Sequence, residues 1–153
     1  MPGSVTALGR FLWPVVGLVV AVDRAAAQAN HDGWNPATAV WTPAGPTMES
    51  SIILGDPSKP GAYSVAFRLK PGAWIPPHTH PRPKQVTVLS GLLRMGLGSA
   101  LDSTATRSMG PGQVMVVPPK TAHFEGASVA TVVLFSGEGP LVTTWVKKAG
   151  QQP

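Results

Sequence analysis

The sequence has no cysteine, and this absence excludes two kinds of chemistry. Neither a disulfide framework nor a thiol nucleophile is available, so the apolar core alone must stabilise the fold. Charged residues are also few, at 12% of 153 residues, and the basic ones are scattered without forming a run. The formal net charge of +5 therefore predicts a solvated basic surface, which favours anionic ligands weakly, and no nucleic-acid partner.

Helical periodicity and internal repeats are absent as well, apart from an apolar stretch near the N-terminus. Glycine and proline number 17 each and separate short apolar runs, which is typical of strands joined by turns. Tyr63, Val65, Phe67 and Leu69 alternate with other residues, as in a half-buried strand. We expect an all-β fold, either an antiparallel sandwich or a barrel. The further predicted strands are 49–54, 85–89, 92–97, 113–117, 130–135 and 141–146.

Two of these strands carry a more specific expectation. Residues 92–97 directly follow Gly91, so they are expected to pair with residues 85–89 as a hairpin. Residues 113–117 are nearly all apolar, which predicts a strand buried in the core.

Residues 1–29 have the features of a secretory signal peptide. Arg10 supplies the positive charge, and the apolar core at 11–22 is too short for a comfortable membrane span. Small residues at Ala27 and Ala29 form a cleavage site, which predicts a periplasmic or secreted protein with no stable membrane span after cleavage. An uncleaved anchor is the alternative. The remaining segments are a Pro/Gly-rich lead-in at 30–48, the β domain at 49–147 and a polar tail at 148–153.

The histidines carry the functional signal. His78 and His80 lie two positions apart, and side chains at such positions of an extended chain point the same way. His123 follows a second strand-like run. Three imidazoles on a β scaffold suit a divalent transition metal, namely Fe, Zn, Cu, Ni or Mn. The alternative is that these are ordinary surface or core histidines.

The residues around the first two histidines resemble the first cupin motif, G-x5-H-x-H-x3–4-E-x6-G. Gly72 is followed by five residues, then by His78 and His80, and the motif closes on Gly91. The chain is also similar to a group of small exported cupins of unassigned function. This resemblance implies a single jelly-roll β-barrel with a ligand pocket inside its mouth.

The second stretch resembles the second cupin motif, G-x5-P-x-G-x2-H-x3-N. Gly112, Pro118 and His123 match at the expected spacing, whereas the motif's second glycine and its asparagine fall on Lys120 and Ala127. Together the two motifs cover about half of the mature chain.

The main departure from the family is Lys84, which occupies the place of the glutamate ligand. Its strand parity should point it inward, where an ammonium cannot ligate a metal and repels a cation. Three outcomes stay open. A bulge could turn Gln85 inward as a fourth ligand, the site could be a three-histidine site with open positions, or metal binding could have been lost.

The resemblance implies two functions. The first is a metal-dependent oxygenase, lyase or isomerase acting on a small molecule, with Lys84 as a catalytic candidate that donates a proton or binds a substrate carboxylate. The alternative is a non-catalytic cupin that binds a small ligand and has a degenerate metal site. Metal content discriminates between them. By analogy with other cupins, a homodimer is also expected, with Trp34 and Trp41 packing on the barrel wall or at the dimer contact.

Several further residues are candidates for the pocket. Arg94 could meet an anionic substrate, or form an outward salt bridge instead. Glu125 lies two residues after His123 and could share the pocket face, or cap the rim instead. The candidate apolar liners, each of which could equally be plain core, are Phe67, Met95, Met115 and Phe124, the last at the entrance.

Overall fold

Eleven β-strands make up the regular structure of residues 33–146, the part of the chain that the computed structural model describes. The signal peptide expected at 1–29, the start of the lead-in and the tail at 148–153 lie outside these residues. Within the described part, there is no helix of the length and apolarity that a membrane crossing needs. The strands are β1 (Thr42–Gly45), β2 (Met48–Leu54), β3 (Gly61–Leu69), β4 (Ala73–Thr79), β5 (Lys84–Ser90), β6 (Leu93–Leu97), β7 (Arg107–Met109), β8 (Val114–Val117), β9 (His123–Ala127), β10 (Thr131–Gly139) and β11 (Thr144–Trp145).

These strands form two antiparallel sheets, which confirms the all-β prediction. One sheet has the order β1-β2-β3-β10-β5-β8, and the other has the order β11-β4-β9-β6-β7. Among the strands of residues 33–146, no ladder joins one sheet to the other, so the expectation of a closed barrel is wrong. The physical reason is that the chain passes from sheet to sheet through turns at 70–72 and at Gly91, where a barrel would need hydrogen-bonded neighbours.

The turn at Gly91 corrects the expected hairpin. β5 pairs with β10 and β8, whereas β6 belongs to the opposite sheet and pairs with β9 and β7. Gly91 has φ +81°, and a Cβ at this position would collide with the Ala130 carbonyl oxygen and with Thr131. A glycine is therefore needed for a left-handed turn packed tightly against the start of β10.

The core fills the space between the sheets and follows the alternation expected of strands. Tyr63, Val65 and Leu69 of β3 are buried, and they join a cluster contributed by both sheets. β8 differs from its prediction, because Val114 and Val116 are 54% and 60% exposed. It is an edge strand, and its apolar run covers both the inner and the outer face of the sheet.

The two tryptophans of the lead-in pack on the outer face of the six-stranded sheet. Their rings meet edge to face with centroids 5.8 Å apart. Trp34 Nε1 donates a hydrogen bond of 3.0 Å to Ser51 Oγ, and the Arg68 guanidinium lies 4.6 Å from the centroid of Trp41. The lead-in is thus fixed to β2 and β3, and β1 at 42–45 adds a strand that the sequence did not predict.

Candidate metal centre

The three predicted histidines meet between the sheets because of the pairing of β4 with β9. His78 lies directly opposite His123 in this ladder, and His80 follows just after the end of β4. The register between Ile75 and His78 shifts, where Pro76 and Pro77 offer no N–H donors to the ladder. The two prolines therefore coincide with the irregularity that leads into the site.

All three imidazoles are close to one another and shielded from solvent. The ring centroids are 4.2 Å apart for His78 and His123, 4.9 Å for His78 and His80, and 5.3 Å for His80 and His123. Their exposed fractions are 3%, 5% and 0% for His78, His80 and His123. One nitrogen from each ring lies within 4.8 Å of the others, which is a spacing that small side-chain shifts convert into coordination of one ion.

The orientation of each ring is fixed by a backbone carbonyl. Nδ1 of His78 donates to the Pro76 oxygen at 2.8 Å and Nδ1 of His80 donates to the Val142 oxygen at 2.8 Å. Nδ1 of His123 donates to the oxygen of Thr121 at 2.9 Å. Since a carbonyl oxygen can only accept, each Nδ1 carries the proton and each Nε2 is left with a lone pair. This is the arrangement by which proteins prepare imidazoles for a metal.

One of these nitrogens has no partner. Nε2 of His80 is buried and, among residues 33–146, makes no hydrogen bond. A buried polar atom without a partner costs free energy, on the order of 1–3 kcal/mol. A metal ion at the centre of the cluster would satisfy it, so the donor set fits the group that the resemblance implies.

The surroundings keep the imidazoles neutral. Burial lowers the pKa of His78 and of His123 below the usual range. Burial, reinforced by the Lys84 ammonium, lowers the pKa of His80 to about 4. Because only an unprotonated nitrogen can ligate, these shifts leave the cluster competent for a metal at neutral pH.

Lys84 points inward as the sequence predicted, but it comes from the sheet opposite the histidines. Its Nζ donates to Glu125 Oε1 at 3.0 Å, and both side chains are only 1% exposed. The same Nζ lies 3.4 Å from His123 Nε2 and 3.9 Å from the centroid of the Phe135 ring. Lys84 is therefore neutralised by a carboxylate and does not face the histidines as an unpaired cation.

Glu125, the acidic candidate, lies at the histidine cluster. Its position two residues after His123 on β9 puts it on the same inward face, with Oε1 3.6 Å from His123 Nε2. Burial raises the pKa of this carboxyl, but the adjacent Lys84 ammonium together with His78 and His123 lowers it by more, so the pKa lies below its usual value. Glu125 is thus an ionised acceptor at the cluster, and the alternative of a rim position is wrong.

Gln85 does not reach the site. It is exposed on the outer face of β5, where its amide donates to Thr87 Oγ1 at 3.5 Å. The ladders of β5 with β8 and with β10 keep a regular register at this residue, so no bulge turns it inward. The prediction of Gln85 as a fourth ligand is corrected accordingly.

A cavity of about 250 Å³ opens beside the cluster. Its polar lining residues are His78, His80, Glu125 and Thr143. Trp145 of β11 lies opposite His78 in the β4 ladder, and its ring is 5.4 Å from that imidazole. This contact is not predictable from the sequence, because it depends on the pairing of two distant strands. The apolar lining includes Met48, Phe67, Ile75, Phe135, Leu141 and Trp145.

The other candidate pocket residues divide between core and surface. Phe67 lines the cavity as predicted, whereas Met95 is core and Met115 packs against that core. Phe124 lies on the opposite face of β9 from His123, against Trp74 at 6.3 Å, so its prediction as an entrance residue is wrong. Strand alternation is the reason, since the neighbour of an inward residue points outward.

Arg94 also lies away from the cavity. The alternative of an outward side chain is therefore right, but its partners are a carbonyl and a hydroxyl group and not a carboxylate. Its guanidinium donates to the Ser103 carbonyl and to Thr106 Oγ1, and it lies 5.3 Å from the Trp74 ring. These contacts fix the loop between β6 and β7. Arg94 therefore does not face a ligand in the cavity.

Comparison with known sequences identifies germin-like proteins of plants as relatives. The chain is 34% identical over 85 residues to germin-like protein subfamily 3 member 1 of Arabidopsis thaliana, which covers 52% of this chain and 41% of that protein. Identity to germin-like protein 3-1 of Oryza sativa subsp. japonica is 30% over 129 residues, with 78% of this chain and 57% of that protein covered. The chain thus spans about half the length of these relatives.

Solved structures share the fold. KdgF from Halomonas sp. superposes with a TM-score of 0.53 at 25% identity, covering 68% of this chain and 93% of that one. The polyketide cyclase RemF from Streptomyces resistomycificus gives a TM-score of 0.59 at 18% identity, covering 76% and 86%. The family model described as Cupin matches residues 58–143, which is more than half of the chain. The chain belongs to the cupin family.

Proposed function

We propose that this cupin binds one divalent transition metal, Fe, Zn, Cu, Ni or Mn, through His78, His80 and His123 and acts on a small molecule in the adjoining cavity. The observation that carries the proposal is the convergence of three buried imidazoles, each of which donates its Nδ1–H to a backbone carbonyl and so leaves Nε2 available. The reaction class that best suits such a site is a metal-dependent oxygenase, lyase or isomerase reaction. The germin-like relatives and the cupin structures are consistent with this proposal.

The bound metal would act as a Lewis acid toward an oxygen of the ligand. The chain's own residues supply the rest. The cavity's apolar walls exclude water from the imidazole cluster, and Glu125 is an ionised carboxylate that can accept a proton or a hydrogen bond from a ligand. Lys84 holds Glu125 Oε1 in place from behind, and it is not among the residues that line the cavity. Lys84 is therefore a positioning residue, and Glu125 takes over the catalytic candidacy.

The charge of the site differs from that of a cupin with a glutamate ligand. Lys84 and Glu125 neutralise each other, so no carboxylate is left over to balance a divalent ion. The three imidazoles are neutral ligands. We therefore expect this site to hold its metal more weakly than a four-ligand site does, and to favour metals that prefer nitrogen donors.

Location is part of the proposal. Cleavage of the predicted signal peptide after Ala29 would release the cupin domain into the periplasm or outside the cell. All the residues assigned to the site lie between 44 and 145, well beyond that position. A homodimer is the expected assembly.

Elemental analysis of the protein, purified without an affinity tag, tests the metal site. We expect about one equivalent of a divalent transition metal per chain, lost in His78→Ala and kept in Leu101→Ala, an exposed loop position. If the protein is metal-free and does not take up Zn²⁺, Fe²⁺ or Cu²⁺ added in a calorimetric titration, the metal-centre proposal is overturned.

The Lys84–Glu125 pair favours a second candidate, a cupin that binds a small ligand without catalysing a reaction. Because Lys84 Nζ lies 3.4 Å from His123 Nε2, the ammonium competes with a metal for that lone pair. A metal-free protein that still binds a small ligand in the cavity would support this candidate.

A further inference from the structure

One wall of the cavity beside the histidines carries a large aromatic side chain that is exposed to solvent. Trp145 lies on β11 at the cavity and is 57% exposed, although it is among the largest apolar side chains of the described residues. Its backbone is fixed by the ladder with β4 and by a hydrogen bond of 2.9 Å from the Val146 N–H to the Pro77 oxygen. A rigid indole that keeps an open face over a cavity is a ready stacking surface.

The remaining walls continue this aromatic character. Phe67 and Phe135 pack against each other with centroids 4.9 Å apart, and both line the cavity together with Ile75. The polar groups of the lining are few, namely the His78 and His80 imidazoles, the Glu125 carboxylate and Thr143. A ligand that fits must therefore have a large apolar part and a small polar end.

The charges of the lining narrow the class further. Glu125 is the only charged side chain among the described lining residues, and Lys84 already pairs with it. No lysine or arginine of the described lining is available to a sugar phosphate or a polycarboxylate. A polyhydroxylated sugar would bury several hydroxyl groups against apolar walls without partners, which is costly.

Size gives the last limit. An apolar cavity of about 150 Å³ holds benzene. A cavity of about 250 Å³ therefore has room for one ring with small substituents, but not for an extended fused system.

We propose that the cavity binds a small single-ring planar compound with one or two oxygen substituents, stacked on Trp145 with an oxygen directed toward the histidine cluster. The compound's hydroxyl hydrogen would be donated to the carboxylate of Glu125, which lines the cavity beside the histidines. This inference names the ligand class of the proposed metal site and rests on that function.

Phenol and cyclohexanol are a matched pair of probes, since they have similar size and one hydroxyl but only phenol is flat. Calorimetric titrations with the Zn²⁺-loaded protein should show phenol binding roughly tenfold more tightly than cyclohexanol, and no binding of xylose. Trp145→Ala should weaken phenol binding roughly tenfold, whereas Trp145→Phe should retain most of it. Val116→Ala is the matched control, because Val116 is exposed on the other sheet. It should leave the affinities for phenol and for cyclohexanol unchanged.

The same titrations separate the two proposals. Zn²⁺ binding with equal affinity for phenol and cyclohexanol, or with tighter binding of xylose, would overturn the ligand class and leave the metal site standing. Failure to bind Zn²⁺ would overturn the metal site, and phenol titrated into that metal-free protein would still decide the ligand class. Loss of Zn²⁺ binding in Trp145→Ala would contradict the stacking role, because this residue is not a ligand.

Discussion

The carboxylate of Glu125 compensates for the positive charge of Lys84 at the place of the family's glutamate ligand. An unpaired ammonium at the place of the family's glutamate ligand would repel a metal, and burying it would cost several kcal/mol. Here the carboxylate of Glu125 lies 3.0 Å away, and the Phe135 ring lies under the ammonium. The pair is therefore tolerated in the interior as a unit, although removing either member would leave a buried charge.

Replacing Lys84 by glutamate should strengthen metal binding. The new carboxylate would stand at the position of the family's ligand, and it would remove the ammonium that contacts His123 Nε2. We expect Zn²⁺ affinity to rise at least tenfold, measured by competition with a chromophoric chelator. Without metal, two buried carboxylates would repel each other, so the free energy of unfolding should fall by about 3 kcal/mol.

Lys59→Glu is the matched control for this prediction, because it makes the same change of charge at an exposed position. It should leave Zn²⁺ affinity unchanged. Equal affinities of Lys84→Glu and the parent protein would show that position 84 has no influence on the metal.

The histidines also predict the response of the metal-free protein to acid. The pKa of His80 is lowered from 6.5 to about 4 in the folded protein, so between these values the unfolded chain binds more protons. The contribution of neutral His80 to stability is thus fully present above pH 6.5 and is lost as the pH falls toward 4. We expect the free energy of unfolding to fall by at most about 3 kcal/mol from this residue, as measured by urea denaturation.

His78 and His123 act in the same direction, since burial lowers their pKa values too. A His80→Asn variant should show a shallower fall over this interval. A stability that stays constant or rises on acidification would contradict the burial of neutral imidazoles.

At the scale of elements, the site depends on which strands are neighbours. The pairing of β4 with β9 brings His78 opposite His123, and the packing of β5 against them from the other sheet supplies Lys84. Gly91 forms the turn on which this arrangement depends, because it takes the chain from β5 into the opposite sheet. The close approach of the Ala130 carbonyl leaves no room for a side chain there.

Substitution of Gly91 by alanine should therefore be more damaging than the same change at a roomy turn. Gly112 has nearly the same backbone, φ +79°, but an added Cβ there would have no atom within 4 Å. We expect Gly112→Ala to cost about 1 kcal/mol from backbone strain, and Gly91→Ala to cost about 3 kcal/mol or more. Thermal unfolding of the two variants side by side measures this difference, and equal losses would mean that the clash at Gly91 is relieved at no cost.

At the scale of the whole molecule, two sheets and the space between them supply everything that the site requires. The core occupies one part of that space, and the cavity with its histidines occupies another. The two lead-in tryptophans pack on the outer face of one sheet, where they do not interfere with the cavity. The predicted signal peptide thus precedes a domain whose site residues all lie beyond position 43.

The predicted signal peptide can be tested by the N-terminus of the exported protein. Expression with an active secretion pathway should yield a protein that begins at Asn30, because Ala27 and Ala29 are the small residues of the predicted cleavage site. Intact mass and N-terminal sequencing of the exported fraction measure this directly. A product that retains Met1 in the membrane fraction would favour the uncleaved anchor.

Properties that depend on near neighbours in the chain are predictable from the sequence. Period-two alternation and the glycine and proline turns predict strands, and the two-residue spacing of His78 and His80 places both on one side. The inward direction of Lys84 is predicted as well, but from the parity of one continuous strand, whereas β4 and β5 belong to facing sheets. The spacing of the two cupin motifs supplied the family.

Properties that depend on distant strands follow instead from how the two sheets are assembled. The partners of β6, the exposed edge position of β8 and the outward face of Phe124 all follow from the pairing of the sheets. So do the ion pair of Lys84 with Glu125 and the contact of Trp145 with His78, which join residues 41 and 67 positions apart. The physical reason is that side-chain alternation is set within a strand, whereas strand neighbours are selected by burial and hydrogen bonding across the whole domain.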